Sequence, residues 1–160
     1  MNSLLIRMMF LFLVVLILTI LPLPEALVQM RPSWMLLIVL YIQFYLPNYF
    51  KVMLVFFLGL TLDSLLSSVI GEHAFCLCFV AWLASGKARH FSLFSMGQQM
   101  FFIGCFALLY QLLIFLIDSR LGYQTKPLMI IGTSLTSILA WPWLRLVGEE
   151  FLLAASYSRS

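Results

Sequence analysis

Long stretches of this chain carry no charge at all. No Asp, Glu, Lys or Arg falls within residues 8–24, 32–50, 52–62, 74–86, 91–117 or 127–144. Such runs offer water almost nothing to solvate, so they must be buried in protein or in lipid. Composition decides between the two. Only 9% of the residues are charged and 64% are hydrophobic, where a soluble domain carries about 25% and about 45–50%. There is too little polar surface to cover a globule in water. This excludes an ordinary cytosolic enzyme, a disordered chain and a nucleic-acid binder. The net charge of +3 does not argue otherwise, because the basic residues are scattered rather than gathered in a patch. What remains is an integral membrane protein.

The runs are too long and too continuous for the alternating segments of a transmembrane barrel. Helices of about 20 residues are the expected unit. The sequence predicts an all-α, polytopic bundle of about six spans, forming a single integral membrane domain over residues 1–160. The spans fall at about 5–21, 33–46, 52–70, 73–85, 97–117 and 127–147. The first is read as an uncleaved span, since Pro22, Leu23, Pro24 and Glu25 offer no small-residue cleavage site. Spans two and four are short, and a re-entrant pair there would leave four crossings. With the N-terminus inside, Arg7, Lys51, Lys87, Arg89, Arg145 and Arg159 lie on the cytoplasmic side and Arg31, Arg120 and Lys126 outside. That asymmetry predicts an N-in, C-in chain. Cys76, Cys78 and Cys105 all lie in apolar runs, and neither a disulfide nor a metal site is expected from them.

Asp63 is the carboxylate deepest within a span. It lies about 18 Å along the helix from Lys51, past the midplane. A charge at that depth needs a partner. Gly59, Asp63, Ser67 and Gly71 recur every fourth residue and define one small-residue stripe. Arg31 opens span two on the same side and is the expected partner, in a buried pair locking spans two and three. A proton or ion site is the functional alternative. In span five Gly104, Gln111 and Asp118 share a face, and Gln111 is expected to hydrogen-bond within the bundle. In span six Gly132, Thr136 and Ala140 form a second small-residue stripe, followed by Trp141-Pro142-Trp143. The proline should kink the helix, and the tryptophans suit a membrane interface. His73 and His90 stand alone and are read as interfacial.

Catalysis is not expected. Asp63 and Asp118 could in principle meet as an aspartyl pair. However, the chain lacks the motifs of lipoprotein signal peptidase and the aspartate-dense signature of the phosphatidyl-alcohol transferases. It also lacks any phosphate-loop, zinc or Ser/His/Asp pattern. No catalytic, cofactor-binding or metal residues are assigned, and no cofactor.

The order Arg31-Pro32-x-Trp34, Leu46-Pro47, Gly59-x-x-x-Asp63, Gly71 and Trp141-Pro142-Trp143 resembles the MreD family, rod shape-determining membrane proteins of bacteria. Across residues 91–126 only the hydrophobic pattern is shared. The resemblance implies a multi-pass protein of the bacterial cell inner membrane. It implies a place in the elongasome, which inserts peptidoglycan along the side wall. The partners it implies are an MreC-like bitopic protein, with MreB, RodA and its transpeptidase in the same complex. A non-enzymatic scaffold acting through its helix flanks is the expected function. The family is also similar in outline to substrate-binding subunits of energy-coupling vitamin transporters, so a small-molecule binding or transport subunit is the alternative. That reading requires a ligand-sized cavity lined by Asp63 and Gln111.

Overall fold

The computed structural model describes residues 2–21, 31–122 and 128–150; for residues 2–5, 89–90 and 128–129 it gives the backbone alone. Lys126 and Arg159 lie outside the described residues. Among those described, every regular element is helical, as the sequence predicts. They are α1 (Asn2–Ile20), α2 (Trp34–Tyr45), α3 (Val52–Leu66), α4 (Glu72–Ser85), the short α5 (Ala88–Phe91), α6 (Met96–Leu121) and α7 (Leu128–Gly148). A single 3-10 turn, Pro47–Tyr49, joins α2 to α3.

Helix length varies by a factor of two. At 1.5 Å per residue α6 measures about 39 Å, whereas α2, α3 and α4 measure about 18, 22 and 21 Å. Two helical segments, Met96–Leu121 and Ile130–Gly148, are long and apolar enough to cross a membrane by length and composition. Span three is shorter than its sequence predicts. The helix stops at Leu66, because Ser67 turns left-handed at φ 52° and donates its N–H to the Asp63 carbonyl. Gly71, at φ 97°, then starts α4. That conformation is one that glycine adopts without steric cost. The expected four-residue stripe is therefore cut in two. Gly59 and Asp63 share the buried face of α3, while Ser67 and Gly71 shape the turn.

The six longer helices alternate in direction. The C-terminal ends of α1, α3 and α6 meet the N-terminal ends of α2, α4 and α7 around one cavity. The first and last described helices thus place their outer termini at the same, opposite end. At the centre stands α2, in which ten of twelve residues are buried. It packs against α1, α4, α5 and α7, and further contacts run from α1 to α3, α3 to α4, α4 to α5, α4 to α6 and α6 to α7. The outer surface is apolar. Met53 and Phe57 on α3, Trp82 on α4, Phe101 on α6 and Leu139 on α7 are all exposed. A soluble bundle turns its polar faces outward, and this one does not.

The buried face of α7 sits one residue from its predicted position. Thr133, Ser137 and Trp141 point into the core, and Gly132, Thr136 and Ala140 are half-buried. Ser134, Thr136 and Ser137 return their hydroxyls to carbonyls one turn back, which hides their polarity inside the helix. The tryptophans divide. Trp143 is 74% exposed, as an interfacial residue would be, but Trp141 is 0% exposed and packs edge-on against Phe91 at 5.8 Å. Pro142 lies inside α7.

Helices α3 and α4 approach closely at Gly59. A Cβ on Gly59 would run into the Ala74 Cα and N, backbone atoms that cannot swing aside. Gly59→Ala is expected to separate the hairpin and cost about 1–3 kcal/mol, the range for overpacking. Thermal unfolding in detergent checks this, with Gly97→Ala as the reference, since nothing lies within 4 Å of a Cβ at Gly97.

Candidate functional site

Two polar clusters sit at opposite ends of the bundle. The first is built on Asp63, only 1% exposed. Its Oδ2 accepts the Gly71 backbone N–H at 2.8 Å. Its Oδ1 accepts the His73 backbone N–H at 2.8 Å, the His73 ring Nδ1 at 2.9 Å and the Ser68 hydroxyl at 3.2 Å. The first N–H groups of a helix have no partner within it. Asp63 supplies one from the neighbouring helix, and its negative charge complements the positive end of the α4 dipole. An ionised Asp63 accepts only, so Nδ1 donates to it in the tautomer that carries its proton there.

Ser68, His73 and Asp63 do not make a catalytic triad. The Ser68 hydroxyl lies 3.4 Å from Nδ1, the same ring nitrogen that meets Asp63. A triad needs the serine and the carboxylate on opposite nitrogens, so that the imidazole can pass a proton between them.

The expected Asp63–Arg31 pair does not form. The Arg31 guanidinium donates instead to the backbone carbonyls of Leu18 and, at 3.2 Å, Leu21. It serves the C-terminal end of α1, whose last carbonyls have no helical partner. The Asp63 carboxylate is satisfied locally, by a turn that brings Ser68, Gly71 and His73 back to it. Nearby, Ser33 donates its N–H to the Ser137 hydroxyl at 3.1 Å, tying the start of α2 to α7.

Beside this cluster lies a cavity of about 270 Å³. Arg31, Pro32, Trp34, His73, Gln111 and Asp118 are among its lining residues, and Asp63 is not. Gln111 thus faces open space, contrary to its expected bond within the bundle; its amide has no hydrogen bond among the described residues. Asp118 shares that face and stands against Glu72.

The second cluster centres on Gln99, fully buried at the start of α6. Its amide N–H groups go to the Phe91 and Phe94 carbonyls at 3.3 and 3.1 Å. Its carbonyl accepts from Tyr45 at 3.2 Å and Arg145 at 3.3 Å. Arg145 also binds Glu149 at 2.8 Å. Gln43, likewise buried, donates to the Ala81 carbonyl at 2.7 Å. Sequence reasoning passed over Gln43, Gln99 and the cavity-lining Tyr110, and read His73 as interfacial. A glutamine inside an uncharged run was the available signal for two of them, since an amide in an apolar setting has to find a partner.

A family model described as rod shape-determining protein MreD matches residues 2–149. The chain belongs to the MreD family. A curated relative, the rod shape-determining protein MreD of Haemophilus influenzae, is 29% identical over 136 residues, covering 85% of this chain and 84% of the relative. No solved structure matches. Membership in the MreD family gives the chain a role in determining rod shape. It also accords with a helical, largely apolar protein of a bacterial membrane.

The hydrogen-bond pattern sets two expectations for double-mutant cycles in detergent unfolding. Asp63→Ala with His73→Ala should show coupling of about 1 kcal/mol or more, because the residues share a network. Asp63→Ala with Arg31→Ala should be additive within about 0.5 kcal/mol. Strong coupling in the second cycle would restore the discarded ion pair.

Proposed function

We propose that this chain is a non-enzymatic scaffold of the cell-elongation machinery, embedded in the cell inner membrane by six helices with both termini in the cytoplasm. The observation that carries this reading is the apolar exterior of an MreD-family bundle whose helices alternate in direction. With so little of the described chain outside the helices, the surface offered to other proteins is the flanks and ends of those helices. In a bilayer such flanks associate through packing and interhelical hydrogen bonds rather than through hydrophobic burial. Exposed Phe101, Leu139 and Trp143 provide packing area there.

The alternation of direction supports an even number of crossings. It groups Arg7, Lys51, Lys87 and Arg145 toward one end and Arg31 and Arg120 toward the other, the bias that places the first group inside. The short α2, α3 and α4 fall below the roughly 30 Å of a hydrocarbon core. In this reading their ends lie against protein and against the polar clusters described above, where backbone outside a helix is tolerated. The partners proposed are an MreC-like bitopic protein, with MreB, RodA and its transpeptidase in the same assembly. Organising lateral peptidoglycan synthesis is the consequence. No cofactor is assigned.

Depletion of the protein in a rod-shaped host is expected to give rounded cells and to stop lateral wall insertion, read by fluorescent wall labelling. The tagged chain should retain an MreC-like protein on purification from detergent. Cysteine labelling of residues near 2 and 150 should place both on the cytoplasmic side. Labelling on opposite faces would overturn the topology.

A further inference from the structure

The cavity beside the Asp63 cluster holds features that the scaffold reading does not use. Two polar residues lining it are more than nine-tenths buried, Tyr110 at 4% and Thr133 at 6% exposure. Neither the phenol nor the Thr133 hydroxyl has a hydrogen-bond partner among the described residues. Their oxygens open onto the cavity and are available to whatever occupies it. Gln111, half-buried, adds an amide without a hydrogen-bond partner among the described residues. The rest of the lining is mostly apolar, with Trp34, Leu66 and Phe115 among it. A concave apolar wall bearing a few convergent polar groups is the form of a small-molecule site.

The charges narrow the ligand. Arg31 and Asp118 both line the cavity, yet the ion pairs among the described residues are His73–Asp63 and Arg145–Glu149. Opposite charges facing one low-dielectric space attract strongly, and here they remain apart. Arg31 also keeps its Nε buried and without a partner among the described residues. A simple anion drawn to Arg31 would meet the negative Asp118. A simple cation drawn to Asp118 would meet Arg31. A molecule carrying both charges satisfies the two at once.

We propose that this cavity binds a small zwitterionic group, its anion held by Arg31 and its ammonium by Asp118, with Tyr110, Gln111 and Thr133 supplying neutral hydrogen bonds. Two sources offer that chemistry. One is the headgroup of a zwitterionic phospholipid, whose acyl chains would follow the apolar wall. The other is a free soluble zwitterion of similar size.

Native mass spectrometry of the full chain released from detergent tests the proposal with three probes. They are a phosphatidylethanolamine, a phosphatidylglycerol of the same acyl chains, and soluble phosphoethanolamine. The first and second share the phosphate and differ in the amine. The wild-type chain is expected to retain the ethanolamine lipid about tenfold more strongly than the glycerol lipid, the scale of one charge-assisted hydrogen bond. Asp118→Asn should abolish that preference while leaving phosphate-dependent retention in place. Thr133→Val should weaken the ethanolamine lipid by a smaller factor. Arg31→Gln should weaken both lipids. Because Arg31 also holds the end of α1, Asp118→Asn and Thr133→Val are the deciding variants, each compared with wild type at equal melting temperature. Displacement of the lipid by soluble phosphoethanolamine would assign the site to the headgroup alone. Resistance to displacement would assign it to the whole lipid. Equal retention of the two lipids by the wild type, an undiminished preference in Asp118→Asn, or retention of none of the three probes would overturn the proposal.

Discussion

A carboxylate that gathers the loose N–H groups of a neighbouring helix is the interaction on which this bundle turns. Asp63 receives the backbone N–H groups of Gly71 and His73, the His73 ring and the Ser68 hydroxyl. In water those donors could be left to solvent. In hydrocarbon each unsatisfied group costs several kcal/mol. The same four bonds compensate for burying the charge of Asp63 itself. They fix the reversal between α3 and α4 and so set the close approach of Gly59 to Ala74. They also place His73 at the edge of the cavity.

The rest of the architecture follows from a helix that is apolar on every side. The sequence of α2 shows no polar face, and in the structure it has none to show, because neighbours cover it all round. The polar groups that apolar helices must still contain are gathered at the two ends. Gln99 ties α2, α6 and α7 together at one end through Tyr45, Arg145 and the carbonyls of Phe91, which ends α5, and Phe94. Arg31 and Ser33 tie α1, α2 and α7 at the other. Between these ends the packing is aromatic and aliphatic, with Phe44 stacked on Phe91 at 3.8 Å and Trp141 beside them.

Hydrophobic runs and their punctuation made the helices legible. Pro32 and Pro47 bracket α2, and uncharged stretches mark α1, α6 and α7 within a few residues. The α3 terminus was not legible, because a period of four in Gly59, Asp63, Ser67 and Gly71 looks the same whether the helix continues or turns. Only the left-handed Ser67 ends it. The special standing of Asp63 could be read from its depth, but its partner could not. Membrane side alone made Arg31 a candidate, while a backbone N–H leaves no mark in a sequence and His73 looked interfacial. The same limit applies to Gln111, whose side chain meets open space where a seven-residue period predicted a neighbour. Trp141 and Trp143 are alike in composition, and only the helical turn between them sends one inward and the other out.

The α3–α4 reversal makes its two arms interdependent. Neither arm is long enough to hold a stable transverse position alone, and α4 begins with donors whose acceptor belongs to α3. Taken separately, the first arm carries a carboxylate without its donors and the second carries amides without their acceptor. Each cancels the other's debt to the hydrocarbon only when both are present. In the topology proposed above, the two arms would satisfy each other in a bilayer only as a folded hairpin, not as two successive helices.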